Sequence, residues 1–91
     1  MINAIVSGKL FKIGELKTHS SGKVYRNFTI TDAGVFVSCV AFEDVAREMA
    51  SMAKNDAIAA KGDLSPSVYT DKDNIERHGL NLKVCGVLNL C

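Results

Sequence analysis

Val35-Phe36-Val37-Ser38-Cys39-Val40-Ala41-Phe42-Glu43-Asp44-Val45-Ala46-Arg47-Glu48-Met49-Ala50-Ser51-Met52-Ala53-Lys54-Asn55-Asp56-Ala57-Ile58-Ala59-Ala60-Lys61-Gly62-Asp63-Leu64 is the stretch whose apolar period changes twice. Residues 35–42 alternate. Val35, Val37, Cys39 and Ala41 share one face, and Phe36, Ser38, Val40 and Phe42 share the other, as in a strand. From Val45 the apolar positions Met49, Met52 and Ala53 follow a three-to-four spacing, which predicts a short helix over about 44–53. Glu43 or Asp44 stands where an N-cap acceptor is useful. Residues 57–64 return to a strand. The unit is therefore strand, helix, strand.

Outward from it, residues 4–12 read as a first strand, with Gly8 marking a bulge or sharp bend. Residues 14–23 carry two glycines, two serines and no apolar period, and read as loop. Residues 24–31 form a second strand. Asp32-Ala33-Gly34 is a turn, so the second and third strands make a hairpin. Beyond Leu64, Pro66 lacks the N–H of a central ladder and belongs on an edge or a bulge. A long hairpin arm follows, with its tip near Asp71-Lys72-Asp73-Asn74, and a last strand over about 78–87. The chain is all-β, and five strands with one short helix between strands 3 and 4 match the OB-fold, a five-stranded Greek-key barrel. An SH3-like barrel or a small α+β sandwich fits the same pattern.

Ninety-one residues set a prior of one domain, 1–91. Hydrophobic residues make up 47% of the chain, enough apolar surface to offset chain entropy, which argues against disorder. No apolar run reaches the roughly 20 residues of a membrane span. The N-terminal segment lacks the basic region of a signal peptide. Cys39, Cys85 and Cys91 are an odd set without a C-x-x-C, which points to a reduced, cytoplasmic chain without a zinc site. Cys39 and Cys85 read as small core residues. Net charge is only +1, yet residues 1–31 hold Lys9, Lys12, Lys17, Lys23 and Arg26 against Glu15 alone. That asymmetry is a weak pointer to an anionic partner.

Catalytic patterns are missing. There is no G-x-S-x-G, H-E-x-x-H or P-loop, and His19 and His78 fall on loop-like segments. Asp71, Asp73 and Asn74 open like a calcium loop, but the required Gly and Glu do not follow. The reading is no enzyme, no cofactor and no metal. Binding chemistry is better represented. Phe36 and Phe42 face away from the small apolar set of their strand, and rings outside a barrel are covered by a partner or used for stacking. Tyr69 lies on the arm, flanked by Lys72 and Arg77, which suits base stacking with phosphates nearby. The pattern alone leaves open that Phe36 and Phe42 are core after a bulge and that Tyr69 packs on its partner strand.

These residues carry a resemblance. Val6-Ser7-Gly8-Lys9-Leu10, Arg26-Asn27-Phe28-Thr29-Ile30 and Val37-Ser38-Cys39-Val40-Ala41-Phe42 look like the first three strands of the bacterial-type single-stranded DNA-binding protein (SSB) family. Lys61-Gly62-Asp63-Leu64, Tyr69-Thr70-Asp71-Lys72-Asp73-Asn74 and Arg77 are similar to its most diagnostic block, in the right order and spacing. The chain resembles a compact form lacking the family's acidic C-terminal tail. It departs in having no Trp, a very short turn at 32–34, and Ser65-Pro66-Ser67-Val68 where basic residues are common. The resemblance implies single-stranded DNA binding with little sequence preference, in replication, recombination and repair. It implies bases on Phe36, Phe42 and Tyr69. Phosphates are then expected at Lys9, Lys17, Lys23, Lys72 and Arg77. It also implies self-association as a dimer or tetramer, and replication or restart proteins as partners. RNA in place of DNA stays open, since stacking tolerates either sugar. The alternative is an oligomeric primosome-type protein-interaction module on the same fold, with weak DNA affinity.

Overall fold

The switch of period at Phe42 is a switch of structure. In chain order the elements are β1 (Ile2–Ile13), β2 (Lys17–Thr18), β3 (Val24–Asp32), β4 (Val35–Phe42), α1 (Glu43–Glu48), a 3-10 turn (Met49–Ser51), β5 (Ala57–Thr70) and β6 (Glu76–Asn89). The computed structural model describes residues 2–70 and 72–90, without the side chains of Tyr69, Arg77 and His78. Asp71, in the expected arm tip, and Cys91 lie outside the described residues.

The sheet runs β1-β5-β6-β4-β3-β2, and an additional β1–β3 pairing closes it. Closure depends on β1. Its residues 2–9 pair with β5 and its residues 9–13 pair with β3, both antiparallel. The two ladders meet at Lys9, and Gly8 just before it runs close against β3. A Cβ on Gly8 would stand 2.7 Å from the Thr31 carbonyl oxygen. β4 and β6 pair in parallel, joined through α1 and β5. This is the five-stranded OB barrel expected from the sequence, with the helix between its third and fourth long strands. Ala33 and Gly34 both have positive φ, 51° and 81°. Left-handed backbone at both central residues is what a two-residue hairpin between right-twisted strands requires.

The core is built by alternation. Phe28 and Ile30 of β3 pair with Cys39 and Val37 of β4, and all four are buried. Ile58 and Ala60 of β5 and Leu82 and Val84 of β6 fill the other wall. Ala46 and Met49, fully buried, plug one end of the barrel from the helical segment. Arg26 ties that plug down: its Nε donates to the Ala46 carbonyl at 3.0 Å and its Nη1 to the Gly14 carbonyl at 2.9 Å. Pro66 sits on β5 beyond Leu64, where the β1 ladder has ended, so no neighbour needs its missing N–H.

Several expectations are corrected. Neither Glu43 nor Asp44 caps the helix: Phe42 is the N-cap, without a side-chain cap bond, and both acids lie in the first turn. There they face Arg47, at 3.8 and 3.3 Å, on the exposed side. The α-helix stops at Glu48 and finishes as the 3-10 turn, short of residue 53. The loop at 14–23 contains β2, which pairs Lys17 with Tyr25 and Thr18 with Val24. Val35, expected inside, is 55% exposed because it stands at the barrel's rim beside the turn. Cys85, expected in the core, is exposed. The ladder steps from Lys61↔Gly86 to Gly62↔Val84, leaving Cys85 as the extra residue of a bulge. The bulge reverses parity along β6, so Val84 and Val87 both reach the core and Cys85 points away from it.

Candidate nucleic-acid interface

The register of β3 and β4 lays out the outer face. Tyr25 is opposite Phe42, Asn27 opposite Val40, Thr29 opposite Ser38, and Thr31 opposite Phe36. Neighbouring strands extend these rows. β1 sets Lys12 beside Thr29 and Lys9 beside Thr31. β6 sets Asn81 beside Ser38 and Lys83 beside Val40, and β2 sets Lys17 beside Tyr25. Cross-strand partners share a face, so this is one surface with a polar middle and aromatic ends. Shallow depressions cross the middle between Lys12, Thr29 and Ser38, and between Asn27, Asn81 and Lys83.

Phe36 and Phe42 are 51% and 40% exposed, on the outer side as alternation requires. At one end the Phe11 and Phe36 rings meet edge to face with centroids 5.1 Å apart. The Lys54 Nζ stands over the Phe11 ring, 5.7 Å from its centroid. At the other end Tyr25, half-buried, meets the His19 ring edge to face at 6.5 Å. The loop holding His19 is ordered locally. The His19 N–H donates to the Lys23 carbonyl at 2.7 Å, and the Ser21 N–H donates to His19 Nδ1 at 3.2 Å. Gly22, with φ at 90°, makes the reversal.

The structure thus brings Phe36, Phe42, Lys9 and Lys17 to one face. Lys23 stands exposed at the end of the β2–β3 hairpin, and Lys72 stands exposed at the tip of the β5–β6 arm. Tyr69 is opposite Arg77 in the arm's ladder, but their side chains lie outside the described structure. Lys9, Lys12, Lys17, Lys23 and Lys83 make no ion pair among the described residues, although Lys83 stands opposite Asp63 in the β5–β6 ladder. Arg26 is different: its guanidinium is spent on the two carbonyls that anchor the helix.

Four residues escaped the sequence reading. Tyr25 was legible, because with Phe28 inside, the odd positions of its strand face out. Lys12 follows from its pairing with Thr29. Phe11 was not legible, since it is the extra residue of a bulge between Leu10 and Lys12. Lys54 follows the helical segment, and no periodicity aims it at a ring. Chemically the face offers π-surfaces, ammonium groups and side-chain amides and hydroxyls. The Cys39 thiol is pushed up to about 12 by burial, which leaves it protonated and inert.

A closed barrel of this topology is an OB-fold, a class whose ligands lie against the second and third long strands and the adjoining loops. Among solved structures it is similar to a small single-stranded DNA-binding protein from Streptomyces coelicolor, with a TM-score of 0.78 and 15% identity over 97% of this chain and 93% of that one. It is similar also to the SSB domain of a Synechococcus sp. protein, with a TM-score of 0.74 and 16% identity over 96% of this chain and 93% of that domain's chain. The fold is therefore that of compact SSB proteins. No protein-family model matches the sequence, and no curated protein matches it. No helix among the described residues is long and apolar enough to cross a membrane.

Proposed function

We propose that this chain binds single-stranded DNA with little sequence preference, on the outer face of β3 and β4. The observation that carries the reading is that face itself. It has exposed rings at both ends, lysines around them without an ion pair among the described residues, and a mostly polar floor between. Phe36 and Phe42 are six residues apart on one strand, about 20 Å at the usual rise per residue. A strand lying across that span covers about four nucleotides or more, within the range for one OB-fold. One structural neighbour is a single-stranded DNA-binding protein and the other is an SSB domain, which supports the reading. Phe36, Phe42 and Tyr69 supply stacking, and Lys9, Lys17, Lys23, Lys72 and Arg77 supply phosphate contacts. The setting is replication, recombination and repair in the cytoplasm, without catalysis.

The test is a titration with fluorescently labelled oligo-dT at several salt concentrations between about 50 and 200 mM. Each neutralised phosphate contributes about −0.7 to the slope of log K against log salt, so a slope around −2 to −4 is expected. Tyr69→Ala should weaken binding by about 1–3 kcal/mol while leaving the melting temperature nearly unchanged. Oligo-rU in parallel separates DNA from RNA preference.

A second reading, an oligomeric primosome-type interaction module, draws on a different face. Ile5 and Leu88 are 73% and 63% exposed on the outer side of β1, β5 and β6. Absence of oligo-dT binding even at about 50 mM salt would favour it.

A further inference from the structure

We propose that Phe11, Phe36 and Lys54 form one nucleobase subsite, in which a base lies on the two-ring cluster and the Lys54 ammonium faces the phosphate beside it. The proposal rests on the single-stranded DNA reading above and adds two residues to it. Phe11 is outside the barrel only because of a bulge. Leu10, just before it, is fully buried, and Ile13, just after Lys12, packs on the core. Strict alternation would allow one outward residue between those two inward ones, and the bulge supplies two, Phe11 and Lys12. An extra outward phenylalanine, 39% exposed, gives the core nothing. What it does give is an edge-to-face contact with Phe36, 5.1 Å between centroids.

That contact fixes the rings relative to each other before any ligand arrives. A free phenyl group must give up its rotamer freedom when a base stacks on it, and a ring already held by a second ring gives up less. Two cations flank the pair, against the nearby carboxylate of Asp56. Lys54 is over the Phe11 ring, and Lys9 is in the row that ends at Phe36. That carboxylate is turned to the backbone, where it accepts the Ala53 N–H at 2.8 Å. An ammonium poised over an aromatic ring and free to swing aside suits a ligand that is flat and anionic at once, as a nucleotide is.

Because the chain has no Trp, Phe11→Trp installs a single fluorescent reporter in the subsite. The emission of that variant should be quenched as oligo-dT saturates the protein. Phe11→Leu, which keeps an apolar side chain and removes the ring, should weaken oligo-dT binding at least about fivefold. Lys54→Gln touches no core residue and should reduce the salt slope by about 0.7. The subsite is overturned if oligo-dT binds the wild type and the Phe11→Trp variant without changing the variant's emission, and if Phe11→Leu and Lys54→Gln both stay within about twofold of wild type. That result leaves the DNA reading standing. A wild type that binds no oligo-dT at about 50 mM salt overturns both.

Discussion

Cys39 and Cys85 carry the same side chain under opposite physics. Cys39 is buried between β3 and β4, and desolvation pushes its thiol up to about 12 from an ordinary 9.0. Cys85 is exposed on its bulge. Iodoacetamide at mildly alkaline pH should therefore alkylate Cys85 in the native protein and reach Cys39 only after unfolding, as peptide mass mapping will show; equal rates would refute the burial. The sign of the pH effect follows. The folded state favours the protonated thiol, so this contribution is complete below about pH 9 and is lost as the pH rises toward 12. Urea midpoints compared at about pH 8 and about pH 10.5 should fall with pH, and fall less in Cys39→Ala. The alternation of 35–42 made Cys39 legible as core. Nothing comparable was available for Cys85, because a bulge changes which residues face in without changing composition.

At the scale of the element, two glycines in adjoining positions behave differently. A Cβ on Gly62 would be 1.9 Å from the Lys83 carbonyl oxygen, whereas a Cβ on Gly86 would meet nothing within 4 Å. Gly62→Ala should cost at least about 2 kcal/mol, because backbone must move. Gly86→Ala should stay within about 0.5 kcal/mol. Thermal melts of the two variants make the comparison, and similar melts would contradict the ladder described for residues 61–62. Arg26 is a fastener between elements rather than a phosphate ligand. Arg26→Met should lower stability by about 1.5–3 kcal/mol, since it strands two carbonyls, and should leave the salt slope of DNA binding unchanged. The long strands, the helix and the hairpin turn at Ala33-Gly34 were all legible from period and turn chemistry. The short β2 was not, because its pairing depends on Tyr25 and Val24 across a polar loop. The helix cap was misplaced because Phe42 ends the strand and caps the helix at once.

For the whole molecule, the exposed Ile5 and Leu88 lie on the side of the barrel away from the β3–β4 face. Residues 2–8 of β1 pair only with β5, leaving their other edge open among the described residues. We expect two or more chains to meet there, so sedimentation equilibrium at micromolar protein should give at least twice the 9.8 kDa chain mass. Ile5→Lys should shift it toward monomer, and a wild-type monomer would remove the idea. The barrel and its strand order were legible because each strand announces its inward face. The site was legible only in part: alternation finds rings that point outward, but not the register that gathers Lys12, Tyr25 and Phe11 around them. The shared strand β1 also has a consequence in time. Ile2 finds its partner at Leu64, so during synthesis the first strand waits for residues 57–64 before most of its ladder can form. Such long-range closure makes folding slow, in the millisecond-to-second range. Until then Ile5 and Val6 belong to a strand whose β5 partners, Lys61 and Ala60, have yet to be made.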